Sequence, residues 1–445
     1  MQSQKTFLAR TGGIGLATLA FLNASAFAQE ASIEERLAAL EGSASAYVDN
    51  SYLFLIGGLI VMFMAAGFCC LEAGLVRSKN AAMQSMKNVA LFSVAGLMFW
   101  LVGYNMAYPG ETIANGLFGI PSFIWTGEES LDTGYSASSD WFFQMVFVAT
   151  AASIVSGTVA ERVKLWSFLA FTAVLTAFIY PIVASWEWGG GYLDSEWGFS
   201  DFAGSTLVHS TGGWAALVGA IIIGPRAGKY FGKNINPMPG SNIPLAALGT
   251  FILWFGWFGF NGASQLAAGT FDDINAVSTI FANTNMAAVG GVLAAMVTTS
   301  ILYKGKIDAT MVFNGAIGGL VSITAEPLAP SMGMSVLIGA IGGVLVVLTV
   351  PLLDRMKIDD VVGAIPAHLV CGIWGTMAVP LTNGDASFVG QFVGVALTGI
   401  FVSAASAVVW MLLKVTIGVR VSEEEEVEGL DKTDVGIEAY PEFAS

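Results

Sequence analysis

Beyond Tyr52 the chain is a succession of long apolar runs separated by short polar breaks. Eleven of these runs are long enough to cross a bilayer, at about 52–75, 86–108, 141–160, 165–185, 204–224, 244–268, 276–302, 308–325, 333–353, 361–381 and 388–415. Upstream the pattern changes twice. Residues 1–28 carry Lys5 and Arg10, then the apolar stretch G-I-G-L-A-T-L-A-F-L, then Ala26-Phe27-Ala28 before Gln29, the three-part layout of a signal peptide. Over 31–42, Ile33, Leu37 and Leu40 recur among charges, which predicts a short amphipathic helix outside the membrane within an extracytoplasmic segment, 29–50. Residues 51–417 form the membrane domain and 418–445 a polar tail.

The polar breaks alternate in sign. Arg77, Lys79, Lys87, Arg162, Lys164, Arg226, Lys229, Lys233, Lys304, Lys306, Arg355, Lys357, Lys414, Arg420 and Lys432 all follow odd-numbered runs. The intervening breaks hold Glu111, Glu128, Glu129, Asp132, Glu187, Asp194, Glu196, Asp272, Asp273 and Glu326 with no base among them. The positive-inside rule makes the basic side cytoplasmic, with the mature N-terminus out and the C-terminus in, as the signal peptide also requires. The expected fold is an all-α integral membrane protein of eleven helices. An odd count lets runs one to five and six to ten form two inverted halves, with the eleventh left over.

Composition agrees with a membrane protein and excludes a soluble one: 445 residues, 55% hydrophobic, 11% charged, with a mean hydropathy of +0.70. The 53 glycines suit helices that approach closely through small residues. Cys69, Cys70 and Cys371 lie in apolar runs without metal-ligand spacing and read as packing residues. A net charge of −15 argues against nucleic acid as a partner.

Against that background the two histidines stand out. Asp201 precedes His209 by eight residues, and Asp360 precedes His368 by the same eight. If each Asp caps its helix, each His lies about 12 Å in at about 1.5 Å per residue, and two helices entering from opposite faces would bring both imidazoles to the midplane. Gly213 and Trp214 follow the first His; Gly372 and Trp374 follow the second. Inverted repeats meeting at a polar midplane site are a signature of transporters and channels.

D-F-A-G-S-T-L-V-H at 201–209, G-W-F-G-F-N at 256–261, A-E-R at 160–162 and H-L-V-C-G-I-W-G at 368–375 together resemble the ammonium transporter family that includes the Amt, Mep and Rh proteins. The resemblance, to the bacterial Amt type in particular, implies a homotrimer in the cell inner membrane with one pore per subunit, serving nitrogen uptake. It implies that Trp188, Phe147 and Ser264 recruit the ion on the outer side and that Asp201 supports that site. Phe147 and Phe260 would gate the pore, and His209 and His368 would be the twin histidines that handle the proton. G-L-D at 429–431 and E-A-Y at 438–440 resemble the family's cytoplasmic tail, the docking face of a PII-type regulator. Two positions depart from the pattern: Leu369 stands where many relatives have Gly, and Pro366 lies two residues before His368.

The chemistry such a pore needs is legible. Ammonium, or methylammonium, differs from potassium in its N–H donors and in a proton it can release, and a charge at the bilayer centre costs at least about 2.5–3.5 kcal/mol. Aromatic faces attract the cation, and an imidazole donates and accepts at once. No enzymatic residue, metal or cofactor is expected: an intramembrane metalloenzyme would want three protein ligands, and Asp201 lies about two turns from His209. A sensor of ammonium with little flux, signalling through its tail, stays open as the alternative. Single aromatics in so apolar a chain are ordinarily packing residues, Ser264 alone would satisfy a helix carbonyl, and Glu161 with Arg162 reads as a structural pair near a run's end. Ser422 with Glu425 predicts a capping box at the start of the tail.

Overall fold

The structure, a computed structural model, describes residues 33–443. The signal peptide expected over 1–28 lies outside the described residues. Among those residues, nine helices are long and apolar enough to cross a membrane: α1 (Ile33–Leu75), α2 (Ser78–Ala107), α3 (Ala137–Thr158), α4 (Leu165–Ser185), α5 (Ser205–Ile223), α6 (Ile243–Ala263), α7 (Phe271–Leu302), α9 (Met332–Arg355) and α11 (Phe388–Thr416). Two shorter apolar helices, α8 (Ala309–Ile323) and α10 (Ile365–Leu381), complete the order. Each corresponds to one apolar run, because run length and hydropathy decide which backbone must close its own hydrogen bonds.

The amphipathic helix expected over 31–42 is not separate. Helix α1 runs without a break from Ile33 to Leu75, since nothing between the polar and apolar stretches can stop it: neither a proline nor a glycine C-cap intervenes before Gly42, and Gly42 stays helical.

The ends of the bundle are distinct. Arg77, Glu161, Arg226 and Asp359 follow α1, α3, α5 and α9 and meet in one buried network. Glu161 pairs with Arg77 and, at 3.1 Å, with Arg226, whose Nε lies 2.9 Å from Asp359. The expected Glu161–Arg162 pairing does not occur. The Arg162 guanidinium instead donates to the carbonyls of Thr158, Gly224 and Asp359, because successive side chains at the end of a helix diverge and Glu161 sits in the left-handed region at φ 70°. Burial alone would raise the Asp359 carboxyl, but the hydrogen bonds and charge of Arg226, with Arg162 beside it, hold it well below the usual carboxylate range.

The tail closes this same end. Ser422 and Glu425 form the expected capping box. Glu426 accepts from Ala227 N–H at 2.6 Å and from Arg420, while Asp431 accepts from the N–H groups of Ala82 and Met83 in the first turns of α2.

Candidate functional site

Helices α5 and α10 carry the histidines, and a carboxylate opens each. The Asp201 oxygens accept from the N–H groups of Gly204, Ser205, Thr206 and Leu207 at 2.7–2.9 Å; Asp360 accepts from Gly363 and Ile365. The helices themselves begin later than the capping residues, at Ser205 and Ile365, and both first turns are wide π turns, 205–210 and 365–370. Each histidine therefore lies three or four residues in, about 4.5–6 Å at about 1.5 Å per residue, rather than the expected 12 Å. Pro366 occupies the first turn, where its missing N–H has no intrahelical partner to lose, so it does not kink α10.

The two helices start at opposite ends of the bundle. Trp188, which lines a chamber of about 350 Å³ at one end, donates its indole N–H to the Asp201 carbonyl at 3.0 Å. Asp360 and Pro366 line a vestibule at the other end with Arg226, Lys229 and Asp354. Between them α5 and α10 cross at glycines placed four residues after each histidine. Gly213 lies against Leu369, where a Cβ would come within 2.6 Å of the Leu369 Cβ, and Gly372 lies against the Ser205 backbone. This close approach brings His209 Nδ1 and His368 Nδ1 to 3.2 Å. One ring must donate and the other accept across that contact, which leaves their Nε2 atoms in opposite roles. His209 is fully buried, and its Nε2 has no partner among the described residues.

Above the pair stands a column of rings. Phe147 and Phe260 stack at 4.0 Å between centroids and 22° between planes; Phe260 and Trp257 each lie close to parallel with His209, at 5.2 and 5.1 Å. Trp188 meets Phe147 edge-on at 6.1 Å. Phe147, Trp188 and Ser264 all line that chamber, and Ser264 also donates its hydroxyl to the Phe260 carbonyl at 2.8 Å.

A sequence model of the Ammonium Transporter Family matches residues 52–440. The chain belongs to the ammonium transporter family. It is 41% identical to the ammonium transporter Amt2 of Archaeoglobus fulgidus over 419 residues, 87% of each chain. It is 40% identical to a putative ammonium transporter of Synechocystis, covering 88% of this chain and 90% of that protein. Among solved structures, a protein described as "Sensor Amt Protein" superposes with a TM-score of 0.82 at 34% identity, over 87% of this chain and 98% of that one. Mep2 of Saccharomyces cerevisiae shares the fold, with a TM-score of 0.72 at 23% identity over 85% and 88%.

For this family member, the site residues expected from sequence fall into one file except Asp201. That residue is fully buried and does not line the chamber; its N–H donates to Glu187 and its carbonyl holds Trp188. Burial pushes the carboxyls of both Asp201 and Glu187 up, but four amide bonds oppose the push at Asp201 and one at Glu187, so Asp201 is the better anion of the two. Sequence reasoning missed three chamber residues, Asp140, Gln144 and Tyr104, and also Trp257 beneath them. Asp140 was detectable: it is the one charged residue of α3, and it precedes Phe147 by seven residues and Gln144 by four on one helix face. Trp257 was not, because the sequence holds many aromatics and only packing selects the one that stacks on the imidazole.

Proposed function

We propose that the protein carries ammonium across a membrane by stripping its proton beneath an aromatic constriction and passing ammonia beside the two histidines. The observation that carries this reading is the 3.2 Å contact between His209 and His368 directly below the Phe147–Phe260 stack. The cation enters the outer chamber, where Trp188 and Phe147 offer ring faces, Ser264 its hydroxyl oxygen, and Asp140 a carboxylate. Asp201 acts from behind by holding Trp188 and capping α5. The stacked rings exclude a hydrated ion, so ammonium passes only by giving up a proton, which potassium cannot do. Below the rings the buried imidazoles offer one lone pair and one N–H to each guest.

The family reading extends to eleven membrane crossings in two inverted halves, the N-terminus outside, a homotrimer in the inner membrane, and a cytoplasmic tail exposed to a PII-type regulator. The test is ammonium-evoked current and internal pH in proteoliposomes, with potassium as control. Ammonium-dependent current or ammonia-dependent alkalinisation, lost in His209→Ala or His368→Ala, is the expected result; no response of either kind in the native protein overturns the reading. A sensor with little flux is the second reading, favoured by the 34% identity to the protein described as a sensor. It predicts ammonium binding without either signal.

A further inference from the structure

On the far side of the histidine pair the structure holds a second buried polar cluster that the site above does not use. Glu72 lies near the end of α1 and is 1% exposed. Its Oε2 accepts from Asn88 at 2.9 Å and Ser156 at 2.8 Å, and also from Gln84. Its Oε1 is buried and has no hydrogen-bond partner among the described residues. A buried carboxylate with one oxygen fully bonded and the other left over is costly unless that oxygen has a task.

The surroundings of Glu72 indicate the task. Glu72 lines a small cavity whose wall also includes His368, Phe68, Ser153, Asn314 and Val362. Its volume of about 10 Å³ is close to what a single water occupies. Asn314 and Val362 also line the wide vestibule at the basic end of the bundle, and the Asn314 amide donates to the Val362 carbonyl at 2.9 Å. A thin partition therefore separates Glu72 from that vestibule. The buried ammonium group of Lys87, 2.9 Å from the Ser156 carbonyl, belongs to the same cluster. Its positive charge opposes a second cation resting there and favours the charged form of the Glu72 carboxylate, so the acid is a transient carrier that readily hands its proton on.

We infer that Glu72 is the proton acceptor on the inner side of the histidine pair. The inference rests on the transport reading above. Ammonium gives a proton to an imidazole: its N–H bond breaks, the electron pair stays on the ammonia nitrogen, and a new N–H bond forms on the ring. The pair releases a proton at His368 to a water in the cavity, and that water passes one to Glu72 Oε1, making the carboxylic acid. Loss of this proton to vestibule water restores the carboxylate, and ammonia reaching the same side recovers a proton from bulk water. Net transport is then one positive charge per ammonium.

The quantity to read is the ratio of ammonium-evoked current to ammonia flux, measured as internal alkalinisation in the same vesicles. Glu72→Gln keeps the size and an acceptor oxygen but cannot take the proton, so the ratio should fall at least tenfold. Glu72→Asp, withdrawn from the cavity by one methylene, should fall less. A merely structural role would lower current and flux together and leave the ratio unchanged, and an unchanged ratio in both variants overturns the inference. Should Glu72→Gln fail to assemble, the ratio in Glu72→Asp decides alone. Native protein that alkalinises the vesicles without current sinks this inference while leaving the transport reading intact; native protein that does neither sinks both.

Discussion

Gly372 and Ser205 stand closer than any side chain would allow: a Cβ on Gly372 would clash with the Ser205 carbonyl oxygen and lie 2.5 Å from Ser210 Oγ. The obstacle is backbone, which cannot rotate aside, and it sits one turn from each histidine. Gly372→Ala should therefore push α10 from α5 and lengthen the Nδ1–Nδ1 contact. Overpacking of this kind costs about 1–3 kcal/mol. A lower unfolding temperature in detergent together with reduced ammonium flux is expected; native flux would show that the crossing does not set the histidine geometry.

The Phe147–Phe260 stack makes a prediction about selectivity rather than speed. Full truncation of a buried Phe costs about 3–5 kcal/mol and would confuse gating with unfolding, so Phe260→Leu is the better probe. Losing the flat ring should admit hydrated ions, so a potassium-evoked current should appear and the ammonium-to-potassium ratio should fall at least tenfold. Unchanged exclusion of potassium would place the barrier elsewhere.

Asp359 links stability to acid. Its carboxyl is held low by Arg226 despite burial, so its contribution is fully present above the ordinary carboxylate value near about 3.9 and is lost as pH falls through the lower folded value. The unfolding temperature should drop as pH is taken below about 4. Asp359→Asn should remove part of that dependence and, by leaving Arg226 with an incomplete partner set, cost about 3–5 kcal/mol at neutral pH. A variant with native stability would show that Glu161 alone satisfies Arg226.

The tail is held by Asp431 at the first turns of α2. Loss of a capping carboxylate costs about 0.5–2 kcal/mol. In Asp431→Ala, hydrogen exchange over residues 423–440 should quicken while α5 and α10 stay protected. Equal protection of the tail in both proteins would mean that the Glu426 contacts, with Lys79 on the Glu426 carbonyl and Asn80 on Leu430 N–H, suffice to hold it.

How much of this was open to reading in one dimension depends on the range of the interaction. The apolar runs mark each helix because closing backbone hydrogen bonds in an apolar solvent is local, and the Asp-to-His spacing is a local cap followed by a first turn. The distance along that turn was overestimated, since Asp201 and Asp360 lie outside the helices that they cap. Glu161 shows the opposite limit. Its neighbour Arg162 is adjacent in sequence, yet its partners are 84 and 65 residues away, chosen by where three helix ends converge.

The sequence by itself determined that the chain crosses a membrane repeatedly, where its helices lie, and which residue types could handle a cation and its proton. Those properties follow from hydropathy and local hydrogen bonding, which neighbours in the chain decide. Only the tertiary structure decided that the histidines meet through Nδ1, that Trp257 and not another indole lies against His209, that Asp140 lines the chamber with Trp188, and that Glu72 shares a cavity with His368. Each of these joins residues on different helices. Their distances are set by how closely the glycine-bearing faces pack, a property of the assembled bundle that no stretch of the chain contains.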